Sequence, residues 1–388
     1  MASTYATTQA IVAYPPESGK RQWRLEDVEL TEPDDNEAIV EVIATGICHT
    51  DLGCASAPDG TPGFPVPPYP RIVGYVKSVG NKISKVKPGD AVLLSFAFCT
   101  HCHNRKFGAP GYCESFNEIN FTGCSTSFSN SGAERVSVGG SFFGQSSFSR
   151  LARVKQTSIV NVTGLVSSKD ELKMLAPLGC GIQTGAGTIT KLAAAKPDDT
   201  VAVIGLGGVG LAAVMAAKIV GCRAVIGIDR VPGRLDLAQS LGATHTINTT
   251  NMTNTLTEEI HKLTGGPGST ITVDATGVVP LIKQGLEFTA NQGKMILLGV
   301  APMDASLDLP IVPHMRLQPD PTQSGRQLVG SMEGGVYPED YIPQLIEWYH
   351  DGKFPLEKLI KTYDVKDFEL AVKDMEDGTT IKPILIWS

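Results

Sequence analysis

Three glycines carry the first chemical signal in this chain. Gly205, Gly207 and Gly210 stand in G-x-G-x-x-G spacing, a pattern that cradles phosphate when a strand leads into it and a helix leads out. Both neighbours are present. Residues 201–204 are a short β-branched apolar run of the kind that forms a buried parallel strand. Residues 211–220 are apolar and alanine-rich, like a buried helix. Gly205 permits the tight turn, Gly207 lets backbone approach a pyrophosphate, and Gly210 lets the helix pack closely on the strand. With Gly208 and Val209 inside the turn, the helix N-terminus offers unpaired N–H groups and the positive end of its dipole to the phosphates. A second apolar run, 224–228, ends in Asp229, placed where a carboxylate accepts the hydroxyls of an adenosine ribose. Strand, helix, second strand and acid together read as a dinucleotide site rather than as an arbitrary tight turn. The carboxylate repels a 2′-phosphate, so NAD(H) is favoured over NADP(H), although Arg230 directly follows and partly offsets the repulsion.

The second signal is sulfur. Of eight cysteines, Cys99 and Cys102 form a C-x-x-C pair, followed by Cys113. In a chain with no secretory leader pattern this favours thiol or metal chemistry over a disulfide framework.

The elements that must position these groups follow from the rest of the chain. At 388 residues it is too long for one ordinary core, so two domains are expected. The composition, 42% hydrophobic and 19% charged, is that of a soluble globular protein. Net charge is −7 and no long basic run occurs, which excludes a nucleic-acid footprint. No uninterrupted apolar stretch reaches spanning length, so a cytoplasmic protein without a membrane partner is expected. Up to about residue 98, alternating segments such as 37–44 and 91–98 read as short strands separated by Pro- and Gly-rich turns. Residues 99–144 read as loop, and 142–153 as a return to strand. From 200 to 299 a β-α-β rhythm predicts an open parallel sheet. The fold class is therefore α/β.

At this point the residues resemble a named family, the medium-chain, zinc-type alcohol dehydrogenases, in particular their aryl- and benzyl-alcohol branch. The resemblance is carried by Gly46-Ile47-Cys48-His49-Thr50-Asp51, Leu178-Gly179-Cys180-Gly181 with Gln183-Thr184-Gly185, Phe142-Phe143-Gly144-Gln145-Ser146-Ser147-Phe148, the glycine motif, Leu241-Gly242-Ala243-Thr244-His245 and Gly378-Thr379-Thr380-Ile381-Lys382-Pro383. It implies a GroES-like irregular β-barrel substrate domain, residues 1–183 and 325–388, and a Rossmann doubly wound domain, residues 184–324. It also implies that His49 and Lys382 bind the pyrophosphate and nicotinamide ribose, that Thr184 touches the nicotinamide ring, and that Arg234 flanks the adenine ribose. Gly299, ending the strand expected at 295–299, joins the cofactor set. A small-molecule substrate and a homo-oligomer, dimer or tetramer, are implied too.

The family's catalytic zinc takes a Cys, a His and a second Cys, with water or substrate in the fourth position. Cys48 and Cys180 match the cysteines. The histidine belongs to a G-H-E motif, and the sequence reads Gly74-Tyr75-Val76 where that motif is sought. A neutral phenol is a poor zinc ligand, so the catalytic zinc is expected to be absent or weakly held. In the structural-zinc lobe, Cys99, Cys102 and Cys113 match three of four cysteines, and Arg105 takes the third position. His101 or His103 could complete a Cys3His site; otherwise the lobe is a packed loop with free thiols. Gly53 stands where some members carry a relaying histidine.

Hydride delivery from a nicotinamide needs proximity and an electron-poor carbon rather than a metal. The expected function is therefore NAD(P)H-dependent reduction of an activated C=C, C=N or C=O bond, plausible in specialised metabolism, with Tyr75 donating a proton and Thr50 or Asp51 orienting it. Alternatives are a zinc-dependent aryl or primary alcohol dehydrogenase with an unusual ligand set, and a non-redox isomerase, cyclase or binding protein on the same fold. Phe96, Phe98, Phe121 and Phe142 suggest an apolar, aromatic-lined substrate pocket.

Overall fold

Polar and apolar residues alternate through the first third of the chain, and there the backbone forms antiparallel strands. The computed structural model describes residues 4–56, 71–121, 125–130, 137–145, 148–250, 252–309 and 325–387. Strands β1 (Thr4–Glu17) and β2 (Lys20–Thr31) form a long hairpin. Its two-residue turn, Ser18 and Gly19, has positive φ at both positions, which matches the right-handed twist of the flanking strands. There follow β3 (Glu37–Gly46), β4 (Arg71–Val79), β5 (Ala91–Leu94), β6 (Ser125–Asn130), β7 (Ser137–Gly140), β8 (Leu151–Lys155) and β9 (Ile159–Asn161). β1, β2, β6 and β7 make one sheet.

Two of the strand expectations shift. The strand sought over 91–98 stops at Leu94, because the N–H and C=O of Ala97 are both taken by the amide of Asn120. The return to strand sought at 142–153 begins only at Leu151. Ser141, Phe143 and Gly144 all have φ between 52° and 73°, a left-handed path no strand can follow.

Residues 200–297 read as buried apolar runs separated by helical segments, and they fold as such. β10 (Thr200–Ile204), β11 (Ala224–Asp229), β12 (His245–Asn248), β13 (Ser269–Asp274), β14 (Thr289–Leu297) and β15 (Gln327–Gly330) form one parallel sheet in the order β12-β11-β10-β13-β14-β15. β10 is buried along its whole length, as a central parallel strand covered on both faces must be. The helix Leu256–Thr264 starts at a reciprocal capping box between Thr255 and Glu258 and stops at Gly265, whose φ is +69°.

The last strands, β16 (Ile360–Asp364) and β17 (Lys382–Ile386), belong to the first part of the chain. β17 pairs antiparallel with β3, completing the sheet β16-β17-β3-β4-β5-β9 with β8 on β3. Trp387 Nε1 donates to Thr45 Oγ1 at 2.9 Å across that seam. The chain thus divides into a substrate unit, residues 1–180, 337–350 and 355–388, and a nucleotide unit, residues 181–336 with 351–354. Residues 325–336, sought in the substrate domain, go with the nucleotide unit, because β15 pairs in parallel with β14.

Candidate active site

In the nucleotide unit the three glycines are required for three different reasons. Gly205 leaves β10 with φ +90°, and a Cβ there would lie 2.6 Å from Thr276 Cγ2. At Gly210 a Cβ would lie 1.9 Å from the Gly205 carbonyl oxygen, so the helix Gly208–Val220 approaches its strand only because that atom is missing. At Gly207 and Gly208 nothing lies within 4 Å of where a Cβ would be. That open face, at an uncapped helix N-terminus, is a cradle for a pyrophosphate. Val209 packs behind it, its Cγ2 being 3.2 Å from where a Cβ on Gly181 would sit.

Asp229 ends β11 and is buried. Its Oδ2 accepts the Leu206 N–H at 2.7 Å, and its Oδ1 accepts those of Arg230 at 2.7 Å and Val231 at 2.9 Å. The carboxylate therefore ties the glycine turn to the next strand and keeps part of its roughly four-site acceptor capacity for a ribose. Arg234 Nη1 lies 3.9 Å from Asp229 Oδ2, and Arg230 is exposed. These residues fit a dinucleotide.

Two acids in this unit escaped the sequence reading. Asp274 ends β13 fully buried and accepts from Thr276 Oγ1 and from the Thr276 and Gly277 N–H groups. Burial pushes its carboxyl above the usual value. Gly299 is held here by contact: a Cβ would lie 2.0 Å from the Gly277 nitrogen. The second acid is Glu333, whose Oε2 accepts from Thr184 Oγ1 at 3.2 Å and Gln183 Nε2 at 3.1 Å. A strand-end acid followed by Ala-Thr-Gly, and an acid followed by two glycines, were the available signals.

In the substrate unit, β3 ends at Gly46 and the chain turns through Cys48, His49, Thr50 and Asp51. Asp51 is buried and accepts the Cys48 N–H at 2.6 Å, which fixes the turn. Cys48 Sγ lies 3.7 Å from Thr50 Oγ1. Because β17 runs beside β3, buried Lys382 reaches the Ile47 carbonyl oxygen at 2.7 Å, next to exposed His49. Cys180 is buried after the turn Ala176–Gly179, which packs on β3, β4, β5 and β17. At Gly179 a Cβ would lie 2.0 Å from the Leu94 carbonyl oxygen, and the Gly179 carbonyl accepts from Ser95 Oγ at 2.8 Å.

Tyr75 is not with them. The β3–β4 register sets Arg71 opposite Gly46 and Tyr75 opposite Glu41. At about 3.3 Å per residue, Tyr75 sits roughly 16 Å along the strand from the Cys48 end. It shares its sheet face with the Glu41–Lys77 ion pair of 3.2 Å. The match of Gly74-Tyr75-Val76 to a G-H-E motif rested on one glycine, and the register removes it. The stretch preceding Arg71, residues 57–70, lies outside the described residues. It holds no histidine, and the chain has none between His49 and His101. Cys48 and Cys180 therefore have no histidine from this segment to complete a Cys-His-Cys donor set.

The sulfurs of Cys99, Cys102 and Cys113 lie within 4.8 Å of one another, and among the described residues no histidine or carboxylate joins them. His103 packs at a tilt against Phe107 instead, and Arg105 donates to the Tyr337 hydroxyl. The Cys102 and Cys99 N–H groups point at Cys99 and Cys113 sulfurs, each at 3.3 Å. Backbone N–H groups of Glu114 and Arg105 lower the Cys102 thiol to about 7, while burial pushes Cys113 up to about 11. This is three-quarters of a structural zinc donor set. Phe96 and Phe98 pack into an aromatic core with Phe116 and Phe143 beside these thiols, so they serve as core rather than as an open lining; Phe121 is partly exposed.

The alcohol dehydrogenase GroES-like domain model matches residues 34–164, and the zinc-binding dehydrogenase model matches residues 208–351. Geraniol dehydrogenase of Castellaniella defragrans is 33% identical over 379 residues, 94% of each chain. The chain belongs to the medium-chain, zinc-type alcohol dehydrogenase superfamily. A probable S-(hydroxymethyl)glutathione dehydrogenase of Schizosaccharomyces pombe is 30% identical over 98% of this medium-chain dehydrogenase and 97% of its own length. Among solved structures, benzyl alcohol dehydrogenase from Acinetobacter calcoaceticus superposes with a TM-score of 0.86 at 31% identity, covering 99% of this chain and 100% of that one. An alcohol dehydrogenase zinc-binding domain protein from Burkholderia ambifaria gives 0.89 at 31%, covering 99% of both chains. The protein is therefore an oxidoreductase of this family, with a GroES-like domain and a Rossmann domain. Among the described residues no helix is long and apolar enough to cross a membrane.

Proposed function

We propose that this medium-chain dehydrogenase is an NAD(H)-preferring reductase that delivers hydride to an activated C=C, C=N or C=O bond of a small molecule without a catalytic zinc, in a specialised pathway. One observation carries the reading: the nucleotide cradle is whole while the segment that supplies the family's zinc histidine contains none. Bound NAD(H) supplies the hydride. The open backbone at Gly207 and Gly208 binds pyrophosphate. Asp229 takes the ribose and disfavours a 2′-phosphate. With Tyr75 displaced, Thr50 is the hydroxyl that holds a proton beside Cys48, and Asp51 fixes its turn. A homo-oligomer in the cytoplasm completes the reading, since most soluble oligomers are symmetric copies of one chain.

The second reading is a zinc-dependent aryl or primary alcohol dehydrogenase, favoured by the names of the relatives that act on geraniol and benzyl alcohol. Metal analysis separates the two. The zinc-free reading expects NADH oxidation with enones, iminium ions or activated aldehydes that survives chelation. One tightly bound zinc per chain, lost together with activity on chelation, overturns it.

A further inference from the structure

We infer that Glu333 is a charge-selective residue of the nucleotide site, favouring the oxidised, cationic nicotinamide over the neutral reduced ring. The inference rests on the nucleotide-binding reading above. Its first support is topology. The sheet order reverses between β10 and β13, and ligands of such sheets lie across that point, outside the carboxyl ends of the strands. Asp229, at the end of β11, marks the adenosine side. The other nucleoside then lies over the ends of β13, β14 and β15, and the turn Glu333–Gly335 follows β15.

The second support is how that turn is built. Glu333, Gly334 and Gly335 have φ of 51°, 72° and 65°. The first is a buried, non-glycine residue in the left-handed region, a strained choice that persists only where the surroundings impose it. They do. Its carboxylate accepts from Thr184 and Gln183, Ser331 Oγ bonds Thr188 Oγ1 at 2.7 Å, and a Cβ on Gly187 would lie 2.4 Å from Val336 Cγ1. The turn is locked to the helix Gly181–Gly187, and the negative charge is locked with it. A fixed, poorly solvated carboxylate acts strongly on a ring whose charge changes from positive to neutral on reduction. It tightens NAD⁺ relative to NADH and so favours the product side when the enzyme reduces its substrate.

The test is equilibrium binding of both nucleotides to the full chain, NADH by fluorescence titration and NAD⁺ by competition. Glu333→Gln meets the same backbone demand, keeps one acceptor oxygen for Thr184 and Gln183, and removes the charge. It is expected to raise the ratio Kd(NAD⁺)/Kd(NADH) on the order of tenfold, mainly by weakening NAD⁺. Glu333→Asp, which keeps the charge, is expected to leave the ratio within about threefold of the parent. An unchanged ratio in Glu333→Gln, or equal weakening of both nucleotides, overturns the inference while leaving the nucleotide reading intact. Failure of the unaltered protein to bind NADH overturns that reading itself.

Discussion

The turn after β10 and the turn after β3 both place reactive groups at the end of a buried strand, yet they depend on different kinds of information. At the first, the glycine motif and its acid lie between Gly205 and Asp229: Gly205 takes a positive φ, Gly207 leaves open space, and Gly210 answers a clash with the Gly205 carbonyl. At the second, Lys382 reaches the Cys48 turn only through the pairing of β17 with β3, and Cys180 follows a turn, Ala176–Gly179, that packs on those same strands. A local site keeps its chemistry as long as its own loop survives. A site assembled from distant strands loses a ligand to a single substitution while the fold continues. Here the glycine cradle is intact, while the chain between Cys48 and Cys99 holds no histidine other than His49.

Three substitutions sharpen or break this contrast. The largest effect is expected from Gly210→Ala, whose methyl would sit 1.9 Å from the Gly205 carbonyl. Chemical denaturation should show a loss of about 3 kcal/mol or more, or no folded protein; a loss below about 1 kcal/mol would mean that helix and strand are not in this contact. Next comes Asp229→Asn. The amide has one acceptor oxygen for three N–H donors and no charge. NADH should bind at least tenfold more weakly, and the preference over NADPH should shrink. Equal preference before and after would remove Asp229 from cofactor choice. The smallest effect belongs to Tyr75→Phe, which should leave turnover and NADH affinity within about twofold, since the ring lies about 16 Å along the strand from the Cys48 turn. A tenfold fall in turnover would show that the β3–β4 register misplaces it.

Most of the fold was legible. The parallel sheet announced itself because strands buried on both faces are unbroken apolar runs, and 201–204 and 224–228 are such runs. β15 was missed because its residues, Gln-Leu-Val-Gly at a sheet edge, are largely exposed and carry no buried-strand pattern. The irregular path through Ser141–Gly144 was illegible for another reason: nothing in Ser-Phe-Phe-Gly declares that a phenylalanine will sit at φ 52°. In the site, the glycines and Asp229 could be read from spacing alone. Tyr75 could not, because its position relative to Cys48 is set by strand register, and a slip in register is invisible along the sequence. Glu333 was hidden for a like reason, its partners Thr184 and Gln183 being brought to it by the packing of two separate segments.

The seam between β17 and β3 has a consequence for how the chain is made. The nucleotide unit contains every strand of its own sheet by residue 330, so it can form while the ribosome is still adding residues. The sheet that holds the Cys48 turn instead waits for residues 382–386. Until they emerge, the edge of β3 that receives Ile384 stays bare, and the nascent chain carries a finished half and an open one.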